Sequence, residues 1–514
     1  MERKLITNFE INGLNGESNV NIKFNDNKKI IVSENGQGKT TIINMLYTFL
    51  RKDKRLLDYS FSDLRVKFSK EKQLTYPKNI IRVIFEEEFL HSFKQAVNHV
   101  NNVASKDFVK GINKGFRREL ILSLIIYYIC NNSSAMKKSR NEILSLLGDI
   151  EGGGDNLIPV ILRIRNYIRN HIILFELEDM NISFSDLFFD VKKICNELDD
   201  DNEFDLKDFY ARVELLSSKL NEFSKHEFIY LPTYRLVESG IKYFKKEGED
   251  EYFFTFNEAE QYFKDNPLIQ FGVDNIKEVW IGLSSKIRTS TTEGFLKLSG
   301  RLLKNTLVNK SIDKDDVDYL VSNKKSIEKI LSRIDDDTID KKDKQDLLKL
   351  INKKSLINGS GNNALFYILE NMVSIYNNQK YIDETIEEYV DVLNSFFTDK
   401  KVVFNDITSE IYVEKLKNKN KIDIEKLSSG EKQILSLFTR LYFSSVENTG
   451  VKYWIFYDEP EISLSIEWQQ ILLPKILNSN KCDFLFAATH SPFIFKNDLK
   501  KYTSDLSLEI EVAQ

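Results

Sequence analysis

The stretch from Ile30 to Leu50 constrains this chain more than any other. Ile30–Val32 is apolar and β-branched, the pattern of a buried strand. Ser33-Glu34-Asn35-Gly36-Gln37-Gly38-Lys39-Thr40-Thr41 follows, and then Ile42–Leu50, mostly apolar, reads as a helix. A strand, a tight glycine loop and a helix N-terminus together hold phosphate groups. Gly36 and Gly38 admit an anion close to the backbone, because no Cβ stands in the way. Lys39 is placed to reach β- and γ-phosphates, and Thr40 to set its hydroxyl on Mg²⁺. One departure stands out: Ser33 occupies the place where the usual pattern opens with glycine. Taken alone, the stretch is also compatible with a glycine-rich turn capping an ordinary helix.

A chain of 514 residues is too long for one simple domain, so two or three packed units are expected. With 42% apolar residues and a net charge of −5, it has a globular balance and no strongly basic character. That gives no support to a nucleic-acid binder that relies on overall charge, although a local patch such as Lys242–Lys246 remains open. Cys130, Cys195 and Cys482 are far apart and form no CxxC pair, so neither a zinc site nor a disulfide framework is indicated. A reducing, cytoplasmic compartment is the expectation. The N-terminus leads straight into a strand-like pattern and not a signal peptide. The longest apolar run, Leu120–Cys130, is too short to span a bilayer, so no membrane association is expected.

Along the chain, Ile6–Gly13 and Val20–Phe24 read as a β-hairpin ahead of the nucleotide strand. Leu64–Phe68 and Ile80–Glu86 read as further strands, separated by Pro77. Helical periodicity then takes over in Phe89–Val100, Arg117–Cys130, Ser139–Leu147 and Leu206–Phe223. Gly152–Gly154 and Gly359–Gly361 read as loops, and Asp199–Asp201 as solvated surface. Phe228–Leu231 looks like a strand returning to the nucleotide domain and ended by Pro232. Arg235 could meet a phosphate or a neighbouring subunit, or pair locally with Glu238. Ile327, Ile330, Leu331 and Ile334 form one helical stripe, and Leu365, Ile368, Leu369, Met372 and Val373 another. Neither heptad pattern lasts long enough for an extended coiled coil. Asp335–Asp337 and Lys341–Lys344 read as solvated faces. Lys401–Phe404 and Glu410–Val413 look like strands again. The resulting division is an N-terminal head part over 1–89, a helical insertion over 90–225, a return to the head over 226–240, a second helical insertion over 241–395, and the rest of the head over 396–514.

Three motifs close the pattern. Leu427-Ser428-Ser429-Gly430-Glu431-Lys432-Gln433 precedes an amphipathic helix, Ile434–Ser444. The apolar run Tyr453–Tyr457 ends in Asp458-Glu459-Pro460, and Phe484–Ala488 ends in Thr489-His490-Ser491. Each has a bland reading: a serine helix cap, a chance acidic pair, a satisfied histidine. Their order and short spacing after a phosphate loop argue against chance. In a parallel sheet, ligands sit at the carboxyl ends of strands. Asp458 is then expected to hold Mg²⁺, Glu459 to orient the attacking water, and His490 to sense the γ-phosphate. Phosphoryl transfer needs this positioning and charge stabilisation more than covalent chemistry.

At these residues the chain resembles ATP-binding-cassette (ABC-type, AAA-family) ATPases of the branch that includes SMC proteins, RecF and the OLD-like ATPases. The resemblance implies an α/β fold: a P-loop head with a mixed sheet, carrying large, mostly α-helical insertions. It implies ATP and Mg²⁺ as cofactors. It also implies a head-to-tail homodimer or higher homo-oligomer, in which Ser428, Ser429, Gly430 and Glu431 cap the γ-phosphate bound by the other subunit. Ser429 stands where glycine is more usual, and Glu431 where transporters have glutamine. The glutamine that the family places in a flexible loop after the first helix has no evident counterpart. Phe9–Gly16, Tyr230-Leu231-Pro232-Thr233-Tyr234-Arg235 and Leu427–Gln433 look closer still to the PtuA ATPases of Septu-type and some retron anti-phage systems. That likeness covers the head and little of the insertions. It implies a separate HNH nuclease (PtuB-like) as partner and, in a retron, a reverse transcriptase with its DNA and RNA.

Three other functions compete. A RecF- or SMC-like DNA-repair ATPase would bind DNA directly; the lack of a basic stripe and of a long coiled coil weakens that reading. A self-contained OLD-like nuclease needs far more chain than Ser491–Gln514 after His490. A transporter subunit does not carry insertions this large. No nuclease constellation is evident among His91, His99, His171, His226 and His490, so the chain alone is expected to hydrolyse ATP and to cut no nucleic acid.

Overall fold

The computed structural model describes residues 6–34, 36–69, 73–85, 206–232, 273–307, 314–334, 336–352, 362–444 and 451–512. The expectations for Asn35, Phe89–Val100, Arg117–Cys130, Ser139–Leu147, Gly152–Gly154, His171, Asp199–Asp201, Arg235, Lys242–Lys246, Asp335 and Gly359–Gly361 lie outside them. The chain is mixed α/β. Its contacts divide it into two compact units, Met1–Glu227 with Leu485–Ala488 and Tyr502–Gln514, and Phe228–Phe484 with Thr489–Lys501.

In the first unit, β1 (Ile6–Leu14) and β2 (Ser18–Lys23) form the expected antiparallel hairpin. The chain then enters β3 (Lys28–Val32) and α1 (Lys39–Leu50), the strand and helix that flank the glycine loop. β4 (Asp63–Phe68) pairs with β1, and β5 (Leu74–Pro77) pairs with β4. With the strand Ile510–Val512 against β2, this makes one five-stranded sheet. β3 belongs elsewhere: it pairs in parallel with Thr503–Asp505, and the Leu485 N–H donates to the Asn27 carbonyl at 2.9 Å.

The expected strand Ile80–Glu86 is a helix instead, α2 (Lys78–Phe85). Ile80, Ile81, Ile84 and Phe85 are all buried, a spacing that lines one helical face. Alternation cannot produce that set, and Pro77 closes β5 just before it. Helix α3 (Leu206–Ser224) buries Val213, Leu216, Leu220 and Phe223 at helical spacing. Phe223 stacks on Phe68 of β4 with ring centroids 4.1 Å apart, and the Tyr76 hydroxyl of β5 donates to the Leu216 carbonyl at 3.3 Å.

In the second unit, β6 (Glu227–Leu231) stops before Pro232, which lacks the N–H to continue. Two long helices dominate, α4 (Val273–Leu307) and α8 (Asn362–Asn394), of 35 and 33 residues. They pack side by side, and a Cβ on Gly294 would meet Ile375 Cγ1 at 2.5 Å. Three shorter helices lie between them in sequence: α5 (Lys314–Ser322), α6 (Lys324–Ser332) and α7 (Lys341–Asn352). The two sequence stripes meet here. Ile327, Ile330 and Leu331 share one core with Leu369, Met372 and Val373. Lys344 departs from its solvated reading: its side chain is 11% exposed and pairs with Asp336 at 2.8 Å.

Strands β7 (Lys400–Asn405), β8 (Glu410–Lys415) and β9 (Lys421–Ile422) form a separate antiparallel sheet. Helix α9 (Ser429–Phe443) follows, and then β10 (Tyr453–Asp458), which buries all six residues and neighbours β6. Helix α10 (Ile466–Asn478) leads to β11 (Cys482–Thr489). Trp454 of β10 stacks on Phe484 of β11 with centroids 4.6 Å apart. A buried chain joins α4, α8 and α9: Trp280 Nε1 donates to the Tyr389 hydroxyl at 3.2 Å, and that hydroxyl lies 2.7 Å from Thr439 Oγ1.

Two contacts test this packing. Arg333 donates to both carboxylate oxygens of Asp383 at 2.7 Å, with side chains 3% and 0% exposed. Asp383→Ala leaves the guanidinium buried without its carboxylate and should cost about 3–5 kcal/mol in urea unfolding. Gly430 in the first turn of α9 leaves room for the carbonyl of Ser463, which a Cβ would meet at 2.4 Å. Gly430→Ala should lower stability by about 1–3 kcal/mol, because the obstacle is backbone and cannot rotate away. Urea unfolding of the two variants beside the parent checks both figures.

Candidate functional site

The loop after β3 leaves open space at its glycines. Gly36 and Gly38 have φ of 84° and 88°, a region that L side chains avoid, and nothing lies within 4 Å of a Cβ placed on either. Helix α1 starts at Gly38 with no side-chain cap and no acidic residue in its first turn. No acidic side chain of its own first turn offsets the positive end of its dipole. Glu34, Gly36, Gln37 and Thr40 are exposed, and Thr41 is half-buried. Lys39 is buried, and its ammonium donates to the carbonyls of Ser33 at 2.9 Å and Glu34 at 3.1 Å.

Those two bonds account for Ser33. Its carbonyl holds the lysine, and Ser33 is not among the residues with positive φ. A glycine at that position is not required by the backbone here. The open cradle, the uncapped helix start and the lysine folded along the loop fit the phosphate groups of a nucleotide.

In the second unit, Ser428 caps α9. Its hydroxyl accepts from the Glu431 N–H at 3.3 Å, and Glu431 Oε2 accepts from the Ser428 N–H at 2.8 Å. This is a capping box, so the bland reading of the serine motif holds as local structure. Glu431 Oε1 also accepts from Lys400 of β7 at 2.8 Å, and that hydrogen bond raises the lysine's pKa. Gly430 and Glu431 are buried, whereas Ser428 and Ser429 stand exposed at the helix start. Two residues on, Gln433 donates to the Tyr457 hydroxyl at 3.3 Å, and burial pushes that phenol's pKa up to about 12.

At the carboxyl end of β10, Asp458 is fully buried. Glu459 takes φ of 54°, an uncommon conformation for a residue with a Cβ. Its Oε1 lies 2.6 Å from His490 Nε2, so the expected water-orienting carboxylate and the expected phosphate sensor are brought together. Glu461, to which the sequence alone assigns no role, makes three hydrogen bonds at this end. Its Oε1 accepts from the N–H groups of His490 at 2.6 Å and Ser491 at 3.0 Å, and its Oε2 accepts from Thr489 Oγ1 at 2.7 Å. Ser491 Oγ donates in turn to Gln469 Oε1 at 2.6 Å. The only sequence signal for Glu461 is its place two residues beyond Glu459. The loop residues around Lys39 lie in the first unit; Asp458, Glu459, His490 and the α9 start lie in the second. Among the described residues, no three His, Cys, Asp or Glu side chains are grouped to hold a metal ion, and no helix is long and apolar enough to cross a membrane.

No family model matches the chain. Over 193 residues it is 28% identical to the Retron Vc95 probable ATPase of Vibrio cholerae serotype O1 biovar El Tor. The matched stretch covers 36% of this chain and 32% of that protein, so the chain spans about a third of the curated relative's length. Among solved structures, the Smc head domain of Pyrococcus furiosus, crystallised with an extended coiled coil bound to the C-terminal domain of ScpA, aligns with all of this chain and 97% of its own. The identity is 11% and the TM-score 0.30, values at which the likeness carries no argument. Over that stretch, what the chain is similar to is a retron protein named a probable ATPase.

Proposed function

We propose that this chain is an ABC-type ATPase of the SMC/RecF/OLD-like branch, which binds and hydrolyses ATP, dimerises through its heads and controls a separate HNH nuclease in anti-phage defence. The observation behind the ATPase reading is the loop Ser33–Thr41, with its open glycine cradle and buried Lys39. The similarity to the Retron Vc95 probable ATPase of Vibrio cholerae supports the defence setting. A reverse transcriptase with its DNA and RNA belongs to this reading as a further partner.

Bound ATP and Mg²⁺ supply the phosphoanhydride to be broken and the cation that offsets its charge. The amides around Gly36 and Gly38 bind phosphate oxygens, and Lys39 holds the β- and γ-phosphates. Thr40 in the first unit and Asp458 in the second are each a residue that would serve Mg²⁺, and the ion would offset phosphate charge. Glu459 orients water and takes its proton, and the contact with His490 fixes the direction of that carboxylate. The exposed start of α9, Ser428 and Ser429, faces the nucleotide of a second subunit.

Lys39→Ala should abolish binding of a fluorescent ATP analogue. Glu459→Gln should bind ATP as the parent does and hydrolyse it about 10²–10⁴-fold more slowly. With ATP its mass in light scattering should double, and a mass that stays monomeric with ATP bound would count against the shared site. The purified chain should leave plasmid, single-stranded DNA and tRNA uncut in Mg²⁺ or Mn²⁺. Cleavage should begin on adding the nuclease and should change in the Lys39 and Glu459 variants. Cutting by the chain alone, after every partner is removed, would overturn control in trans.

A further inference from the structure

Two glutamates two residues apart grip the same histidine from different sides. Glu459 meets the imidazole of His490, whereas Glu461 meets its backbone. Strand β11 ends at Thr489, so the next N–H groups have no ladder partner and must find an acceptor. Glu461 supplies it, taking two N–H groups on one oxygen and the Thr489 hydroxyl on the other. Hydrogen bonds to a carboxylate are shorter and stronger than neutral ones.

The turn that carries both glutamates is itself fixed. Pro460 stands between them and is buried. The Ile462 N–H closes the turn on the Glu459 carbonyl at 3.3 Å, and the Leu464 N–H donates to the Glu461 carbonyl at 3.1 Å. Gln469 of α10 donates to the Leu464 carbonyl at 3.0 Å while its oxygen accepts from Ser491. The left-handed φ of Glu459 persists because both sides of it are tied down.

We infer that Glu461 is a positioning residue, which locks the backbone of His490 so that its imidazole meets Glu459 at the correct distance. It acts through the histidine, whose backbone it holds. The inference deepens the ATPase reading and rests on it for the effect on turnover; the geometric claim stands by itself.

The substitutions separate the two. Glu461→Ala removes all three acceptor contacts. Glu461→Gln keeps one oxygen for the two N–H groups and turns its amide toward a hydroxyl that can accept. Binding of ATP should change little in either variant. Turnover should fall about a hundredfold in Glu461→Ala, the cost of misplacing a reacting group by about an ångström, and most of it should return in Glu461→Gln. The second readout needs no ATP: ring signals of ¹⁵N-labelled histidine, with His490 assigned through His490→Gln. In Glu461→Ala the His490 ring signal should move toward its position in Glu459→Gln, and in Glu461→Gln it should stay near that of the parent. An unmoved His490 signal in folded Glu461→Ala overturns the inference, as does equal loss of turnover in the Ala and Gln variants. If Glu461→Ala does not fold, Glu461→Gln decides: parental ring signals with parental turnover support the lock, and displaced signals with full turnover refute it. If the parent binds and hydrolyses no ATP, the ATPase reading fails, and the ring signals still decide whether Glu461 holds His490.

Discussion

Backbone polar groups that end a buried strand have to be satisfied, and that constraint organises the second unit. β10 buries every residue it has, and its last residue, Asp458, is a fully buried carboxylate. The chain cannot continue as a strand and turns at once, through Glu459 in a left-handed conformation and Pro460. Glu461 then serves the part-buried N–H groups just past the end of β11. A buried donor left unmade would cost about 1–3 kcal/mol, so these contacts are part of the fold as much as of the site.

The same economy explains the start of α9. Gly430 approaches the carbonyl of Ser463, in the turn that follows β10, more closely than any side chain allows. Ser428 and Glu431 satisfy each other's backbone donors, and Lys400 ties the carboxylate to β7. Here the serine–glycine motif has a complete structural rationale within one unit. A structural and a functional role are compatible, because the capping box leaves Ser428 and Ser429 exposed at the positive end of the helix dipole.

In the first unit the loop after β3 uses a buried lysine differently. Lys39 folds onto the carbonyls of Ser33 and Glu34, which makes the loop compact without filling the cradle at Gly36 and Gly38. Serine can stand in place of the usual first glycine, since its backbone does not take a positive φ and its carbonyl accepts from Lys39.

Much of this was legible in the sequence. The β-branched run before the loop, the glycines within it and the apolar helix after it specify strand, turn and helix locally, by period and backbone freedom. So do the runs that became β10 and β11, and the stripes of α6 and α8. Ile80–Phe85 was not legible, because a short apolar run satisfies strand and helix alike, and only its burial on one face decides between them. The Glu459–His490 contact joins residues far apart in the chain, and the role of Glu461 depends on which donors β11 leaves open; no spacing encodes either. Gly430 read as a motif letter, and only packing showed that a backbone carbonyl occupies the space of its missing side chain. The sequence alone determined which local elements form and which residue types sit at their ends, because those follow from short-range sterics and periodicity. The tertiary structure alone decided which of those ends meet, because that depends on satisfying buried polar groups across long loops.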